Sequence, residues 1–225
     1  MIGDADGGAL AAMFAATYPG RTLGLVLWTG GVRMAQAPDY PWGMPEDQFE
    51  QRLRQRMELW GDASKGTETA AMTFSAAGNR LAEDPAFVDW LLRLQRYGAA
   101  PGDVATFSRV WFSTDARSAL PAIQVPSVVM VREGWPAGRI EESEWTADQI
   151  AGARLERLPG DEDDPYIGDV VGTAGAIRRF AEAIKEEHAA FDRVLATVLF
   201  TGCIAPHPDD RRSVARSLDA RRQAL

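Results

Sequence analysis

The segment Met1-Ile2-Gly3-Asp4-Ala5-Asp6-Gly7-Gly8 constrains this chain more than any other. Glycines at positions 3 and 7 bracket an acidic turn that leads straight into Leu10, Met13, Phe14 and Tyr18, apolar residues at helical spacing with small alanines between them. Pro19-Gly20 stops that helix. Leu23-Gly24-Leu25-Val26-Leu27-Trp28 follows as a short continuous apolar run, closed by Thr29-Gly30-Gly31. A run with no polar face, set directly after a helix, predicts a strand buried within a parallel sheet. The chain therefore reads as α/β.

The rhythm breaks from about 38 to 116, where helical periodicity predicts helices over 46–60, 67–77, 85–97 and 103–111 with no strand between them. This is a helical insertion. Strand and helix then alternate again: a strand over 123–131 entered through Pro126, a helix over 141–150, a strand over 153–158 and a long helix over 170–187. The β-branched, apolar stretch "RVLATVLF" at 193–200 predicts one more strand.

At 225 residues the chain fits one domain, or one domain with an appendage. Its 46% hydrophobic and 25% charged residues suit a packed core. The net charge of −8 argues against nucleic acid or an anionic membrane as partner. The basic stretch 211–222 reads as a solvated helix face. A single cysteine, Cys203, excludes an internal disulfide framework. With no apolar run of about 18 residues and no secretory leader pattern, the expectation is a cytoplasmic protein.

Three stretches together resemble the α/β-hydrolases. "GDADGGALAAMFAATYPGRTLGLVLW" is similar to their G-x-S-x-G nucleophile elbow, its helix and the next strand. "LPAIQVPSVVMVREG" resembles the strand that delivers the acid, and "IAGARLERLPGDEDDPYIGD" the strand and loop that deliver the histidine. The resemblance is to the hydrolase domains fused to class III adenylate cyclases of actinobacteria, and "FDRVLATVLFT" is similar to the opening strand of such a cyclase. It implies a partial α/β-hydrolase fold over 1–187, a parallel sheet flanked by helices with a cap insertion over 38–116. A cyclase-like remnant and divergent tail would fill 188–225.

Carried over residue by residue, the resemblance places Ala5 at the nucleophile position, Trp135 at the acid position and Asp163 at the histidine position. Alanine has no lone pair with which to attack, and tryptophan no carboxylate to orient an imidazole. Asp4, Asp6 and Glu133 are weak substitutes. The first two read as turn and helix N-cap residues, the third as a loop glutamate. Of the two histidines, His188 reads as helix-terminal, and neither it nor His207 is placed to serve as the base.

The resemblance also implies strands before the elbow, with the second oxyanion donor, where this chain has only Met1-Ile2. An open apolar edge on the strand starting at Leu23, and a truncated sequence, are the resulting expectations. After Thr201 the cyclase likeness stops, so no nucleotide cyclisation is expected. "HPDD" at 207–210 resembles a zinc deacetylase motif but has no further histidine after it. The acidic loop 161–164 lacks EF-hand spacing. No metal and no cofactor are expected.

The sequence thus predicts a catalytically inactive hydrolase-like protein, kept as a ligand-binding or regulatory remnant. Trp42, Trp60, Trp90 and Trp111 in the cap are candidates for holding a hydrophobic small molecule. A cyclase-type partner chain or a homo-oligomer are the candidate protein partners. The alternative is an esterase-like enzyme in which Asp163 or Glu133 activates water.

Overall fold

The computed structural model describes residues 1–188 except 75–79, 136 and 163. The expected strand at 193–200, together with Cys203 and His207, lies outside the described residues.

Four strands form one parallel sheet in the order β1 (Ile2–Asp4), β2 (Leu25–Trp28), β3 (Ser127–Arg132), β4 (Arg154–Leu158). Val26 pairs with Ile2 on one side and Val128 on the other, so β2 is internal. The outer edge is that of β1, not of the strand after Leu23 as the sequence suggests. All residues of β2 and β3 are buried, which accounts for their unbroken apolar runs. At the other edge, β4 carries Arg154, Glu156 and Arg157. Glu156 accepts from Arg179 at 3.1 Å and Arg157 pairs with Glu144. Charged side chains of this kind protect an edge from stray pairing. The sequence starts β3 at Ile123, but the strand begins at Ser127. Pro126 has no N–H to donate and contributes only its carbonyl, which accepts from Leu25 at 2.9 Å.

Helices cover both faces. α1 (Asp6–Thr17) packs Ala9, Ala11, Ala12 and Ala15 against Leu25, Leu27 and Val129. On the same face lie α6 (Ala137–Asp148), through Ala147, and the turn around Leu120. On the opposite face, α7 (Val170–His188) sets Ala176, Phe180 and Ile184 on Val26, Trp28, Val128, Met130 and Leu158. Ile184 also fills the space above Gly24, where a Cβ would stand 2.3 Å from its Cδ1.

Between β2 and β3 lie α2 (Glu46–Leu59), α3 (Gly66–Thr73), α4 (Pro85–Gly98) and α5 (Pro101–Ser113). The insertion contains the helices that the periodicity predicts: α4 starts at Pro85 as expected, capped by Asp84, and α5 opens earlier than expected, at Pro101, while the expected end of the helix over 67–77 lies outside the described residues. Phe49 of α2 stacks on Phe112 of α5 with centroids 4.1 Å apart, a geometry worth about 1 kcal/mol beyond the area it buries. Ala70, Phe74 and Leu91 form a separate small core that also takes in Ile167 from the segment after β4. The cap is thereby seated on the loop expected to carry the catalytic base.

Candidate functional site

Ala5 joins β1 to α1 with φ 48° and ψ −123°. A side chain with a Cβ is strained there by roughly 1–3 kcal/mol, and the turn holds because its surroundings leave no room to relax. The Ala5 carbonyl accepts from Gly8 N–H at 2.9 Å. A Cβ on Gly3 would lie 2.7 Å from Ala11 Cβ, one on Gly8 2.8 Å from the Gly31 carbonyl, and one on Gly31 2.9 Å from the Ala5 carbonyl. The turn and the exit of β2 thus pack backbone against backbone. Thr29 and Gly30, both at positive φ, bend that exit around it.

Ala5 itself occupies the N-cap position, with no side-chain capping bond. This corrects the expectation that Asp4 or Asp6 caps the helix. Asp6 instead stands in the first turn, where burial pushes its carboxyl up and the N–H groups of Asp6 and Gly7 partly oppose the shift. The helix start favours an anion there for the same reason.

The segment after β4 brings Asp164 and Tyr166 to this turn. Tyr166 Oη donates to Asp164 at 3.1 Å. Although the residue is 56% exposed, its phenol is pushed up, by partial loss of solvent around the hydroxyl and by the carboxylates of Asp164, Asp4 and Asp6. From the cap, Arg56 of α2 lies under Trp60 with its guanidinium 5.6 Å from the ring centroid. Burial lowers its pKa and Asp164 counters that effect. A strained turn, three carboxylates, a phenol and a cap guanidinium therefore share one region. Sequence reading missed Tyr166 and Arg56, for which only their place in the loop and cap gave a signal. Asp163 lies outside the described residues.

At the end of β3, Gly134 N–H donates to the Gly160 carbonyl at 2.8 Å and Glu133 N–H to that of Leu158 at 2.8 Å, tying the acid-position loop to the histidine-position loop. Trp135 is half-buried, with Arg139 5.9 Å from its ring centroid. Glu133 is exposed.

Beneath that loop lies Arg132, wholly buried. Its guanidinium donates to the carbonyls of Pro159 at 2.7 Å and Ile167 at 3.2 Å and to Thr173 Oγ1 at 2.9 Å, and stands over Trp28. Glu162 faces Arg132 from within the loop. Gly160 and Gly168, both at positive φ, make room for it: a Cβ on either would sit 2.5 Å or less from its carboxylate. Arg80 of the cap clamps Asp161 at 2.9 and 3.2 Å and Glu162 at 2.8 Å.

Trp42 meets Tyr40 and Trp145 and donates to Glu141 at 3.2 Å, beside α6. Trp60 donates to the Ala99 carbonyl at 3.0 Å, and Trp90 stands half-exposed next to Phe87. Among the described residues no ring contact links any two of them or Trp111 to another. Trp145 instead lines an open cleft of about 400 Å³ with Asp39, Asp115, Arg117, Ser118 and Gln149. Arg117 pairs there with Asp39 and Asp115, both at 2.9 Å. Close by, Tyr40 donates to the buried Glu142, which also accepts from Arg139 at 2.5 Å. Among the described residues no three His, Cys, Asp or Glu side chains gather as metal ligands, and no helix is long and apolar enough to cross a membrane.

No protein-family model matches the sequence, and no curated protein matches it. Among solved structures the chain is similar to a bromoperoxidase from Bacillus anthracis (TM-score 0.64, 17% identity), covering 80% of this chain and 66% of that one. It is also similar to an esterase from Exiguobacterium antarcticum (0.63, 19%, 80% and 65%). An enol-lactonase from Burkholderia xenovorans LB400 gives 0.60, 17%, 80% and 64%. The chain spans about two thirds of the length of each. The sheet order, the strained strand-to-helix turn at Ala5 and these likenesses agree: the chain has a partial α/β-hydrolase fold.

Proposed function

We propose that this protein is a catalytically silent α/β-hydrolase-fold protein that serves as a ligand-binding or regulatory module. One observation carries the reading. The turn that presents a nucleophile in this fold is held at φ 48°, ψ −123°, and the residue on it is Ala5. Such a turn exposes its central side chain, and a methyl group there can neither attack a carbonyl nor take up a proton. Trp135 at the acid position and the assignment of Asp163 to the histidine position support the same conclusion. The N–H groups of Asp6 and Gly7 at the helix start face the Asp6 carboxyl.

The ligand class is a small molecule with an apolar body, held between the turn and the cap. Among the described residues the charged groups at that region are Asp4, Asp6, Asp164 and Arg56, so its polar end would meet mostly carboxylate. A cyclase-type chain or a second copy is the partner through which binding would be read out.

The test is an ester-hydrolysis panel run on the 225-residue chain beside Ala5→Ser, together with a thermal-shift screen of apolar small molecules. The reading expects no turnover by either protein and a raised melting temperature with some of the ligands. Turnover by the parent that is lost in an Asp163→Asn, Glu133→Gln double variant would establish the rearranged carboxylate enzyme instead.

A further inference from the structure

We infer that the open cleft beside Trp145 is a binding site for a neutral, polyhydroxylated ligand, a sugar ring set against the indole. Three separate stretches of chain build it. Asp39 comes from the start of the helical insertion, Asp115, Arg117 and Ser118 from the approach to β3, and Trp145 and Gln149 from the end of α6. The space is about 400 Å³, within the range of about 300–1,000 Å³ usual for small-molecule pockets. None of these lining residues belongs to the region around Ala5, so the site is distinct from the one between turn and cap.

Its walls are braced in advance. Tyr40, wholly buried, lies under Arg117, whose guanidinium stands 5.4 Å from the ring centroid. The Tyr40 hydroxyl donates to Glu142, itself wholly buried and held by Arg139 at 2.5 Å. Tyr40 and Trp42 both meet the Trp145 ring, with centroids 5.4 and 5.7 Å away. A ring supported in this way has little freedom left to lose on binding.

Charge identifies the ligand class. The Arg117 guanidinium is committed: it pairs with Asp39 at 2.9 Å and gives two bonds of 2.9 Å to Asp115. Arg33 brings a second cation to Asp115. Two arginines against two aspartates leave the cluster neutral. A ligand anion would have to displace one carboxylate and face both. A ligand cation would find the carboxylates already matched. Hydroxyl groups meet neither obstacle. The Asp39 side chain is 74% exposed, and a carboxylate with about four lone-pair sites still accepts after one ion pair. Ser118 adds a hydroxyl and Gln149 a carboxamide, each able to donate and to accept. Beside them the half-buried Trp145 supplies apolar surface. Donors and acceptors around one aromatic ring suit a pyranose, hydroxylated at its rim and carrying C–H groups on its faces.

The inference holds whether or not the protein is an enzyme. The test is saturation-transfer NMR on the 225-residue chain with glucose, galactose, mannose, maltose and cellobiose, and with glucuronate and glucosamine as charged counterparts. At least one neutral sugar is expected to receive saturation at its ring C–H protons and to bind more tightly than either charged one. Trp145→Ala is expected to weaken that binding roughly 10-fold through loss of the aromatic contact, and Gln149→Ala roughly 3-fold through loss of a hydrogen bond. Arg56→Ala, beside the Ala5 turn, is expected to leave it unchanged. Transfer to none of the neutral sugars would overturn the inference, as would tighter binding of a charged one. Binding that survives both cleft variants would overturn it too, and binding lost in Arg56→Ala would move the sugar to the turn. Thermal melts accompany each variant, and should Trp145→Ala fail to fold, the more exposed Gln149→Ala decides.

Discussion

Arg132 Nε stands 3.9 Å from Glu162 Oε2, with both atoms shut off from solvent and neither making a hydrogen bond to the other. The pair joins the end of β3 to the loop after β4, and Arg80 extends the link into the cap. A buried charge that loses its counter-charge costs several kcal/mol. Glu162→Ala is therefore expected to destabilise by about 3 kcal/mol, read from urea unfolding. Arg80→Ala, which removes a half-exposed pair, is expected to cost under about 1 kcal/mol. Equal losses for the two would show that Arg132 does not depend on Glu162.

At Ala5 the expected change has the opposite sign. Glycine adopts φ 48°, ψ −123° freely, so Ala5→Gly relieves strain of roughly 1–3 kcal/mol and returns about 1 kcal/mol to the disorder of the unfolded chain. A net stabilisation of up to about 2 kcal/mol is expected in thermal or urea unfolding. Ala5→Val, whose branched Cβ is worse placed, is expected to destabilise. A stabilising valine would refute the strained turn.

Gly8 and the Gly31 carbonyl set the distance between α1 and the exit of β2. A Cβ at Gly8 would stand 2.8 Å from that oxygen, with backbone on both sides. Gly8→Ala is expected to cost about 1–3 kcal/mol, although alanine favours helix. A neutral outcome would mean that the two backbones part easily.

Asp115 is held down at a pKa of about 2 by its hydrogen bonds to Arg117, opposed by partial burial and helped by Arg33. A carboxyl whose pKa falls on folding stabilises above its unfolded value and loses that contribution as pH drops through the folded one. Asp115→Asn is therefore expected to cost on the order of 1 kcal/mol at pH 7, allowing for solvent screening. The difference from the parent should fade between about pH 4 and pH 2. A cost that persists at pH 2 would place its origin in hydrogen bonding alone.

The strands and cap helices are legible in the sequence because their signals are local. The apolar runs of β2 and β3 reflect burial on both faces, and the prolines and Asp84 mark helix starts. The site is only partly legible. The glycines around Ala5 point to a sharp turn, but the meeting of Tyr166 and Arg56 with that turn depends on how the cap closes over the sheet. No spacing encodes that. Trp42 is legible only as a cap tryptophan, and its ring partners, Tyr40 and Trp145 by α6, come from the fold. Arg132 falls just after the strand expected over 123–131, whereas the structure makes it the buried last residue of β3, with the loop after β4 folded over it.

Alanine has no side-chain rotamers to surrender, so seating Ala9, Ala11, Ala12 and Ala15 on the sheet immobilises α1 at the expense of its backbone alone. A helix bedded on such stubs has little compliant material beneath it. Pressure on Ala5 would tip α1 as a stiff lever. Leu10, Met13 and Tyr18, on its solvent side, would register the displacement at the far surface of the molecule.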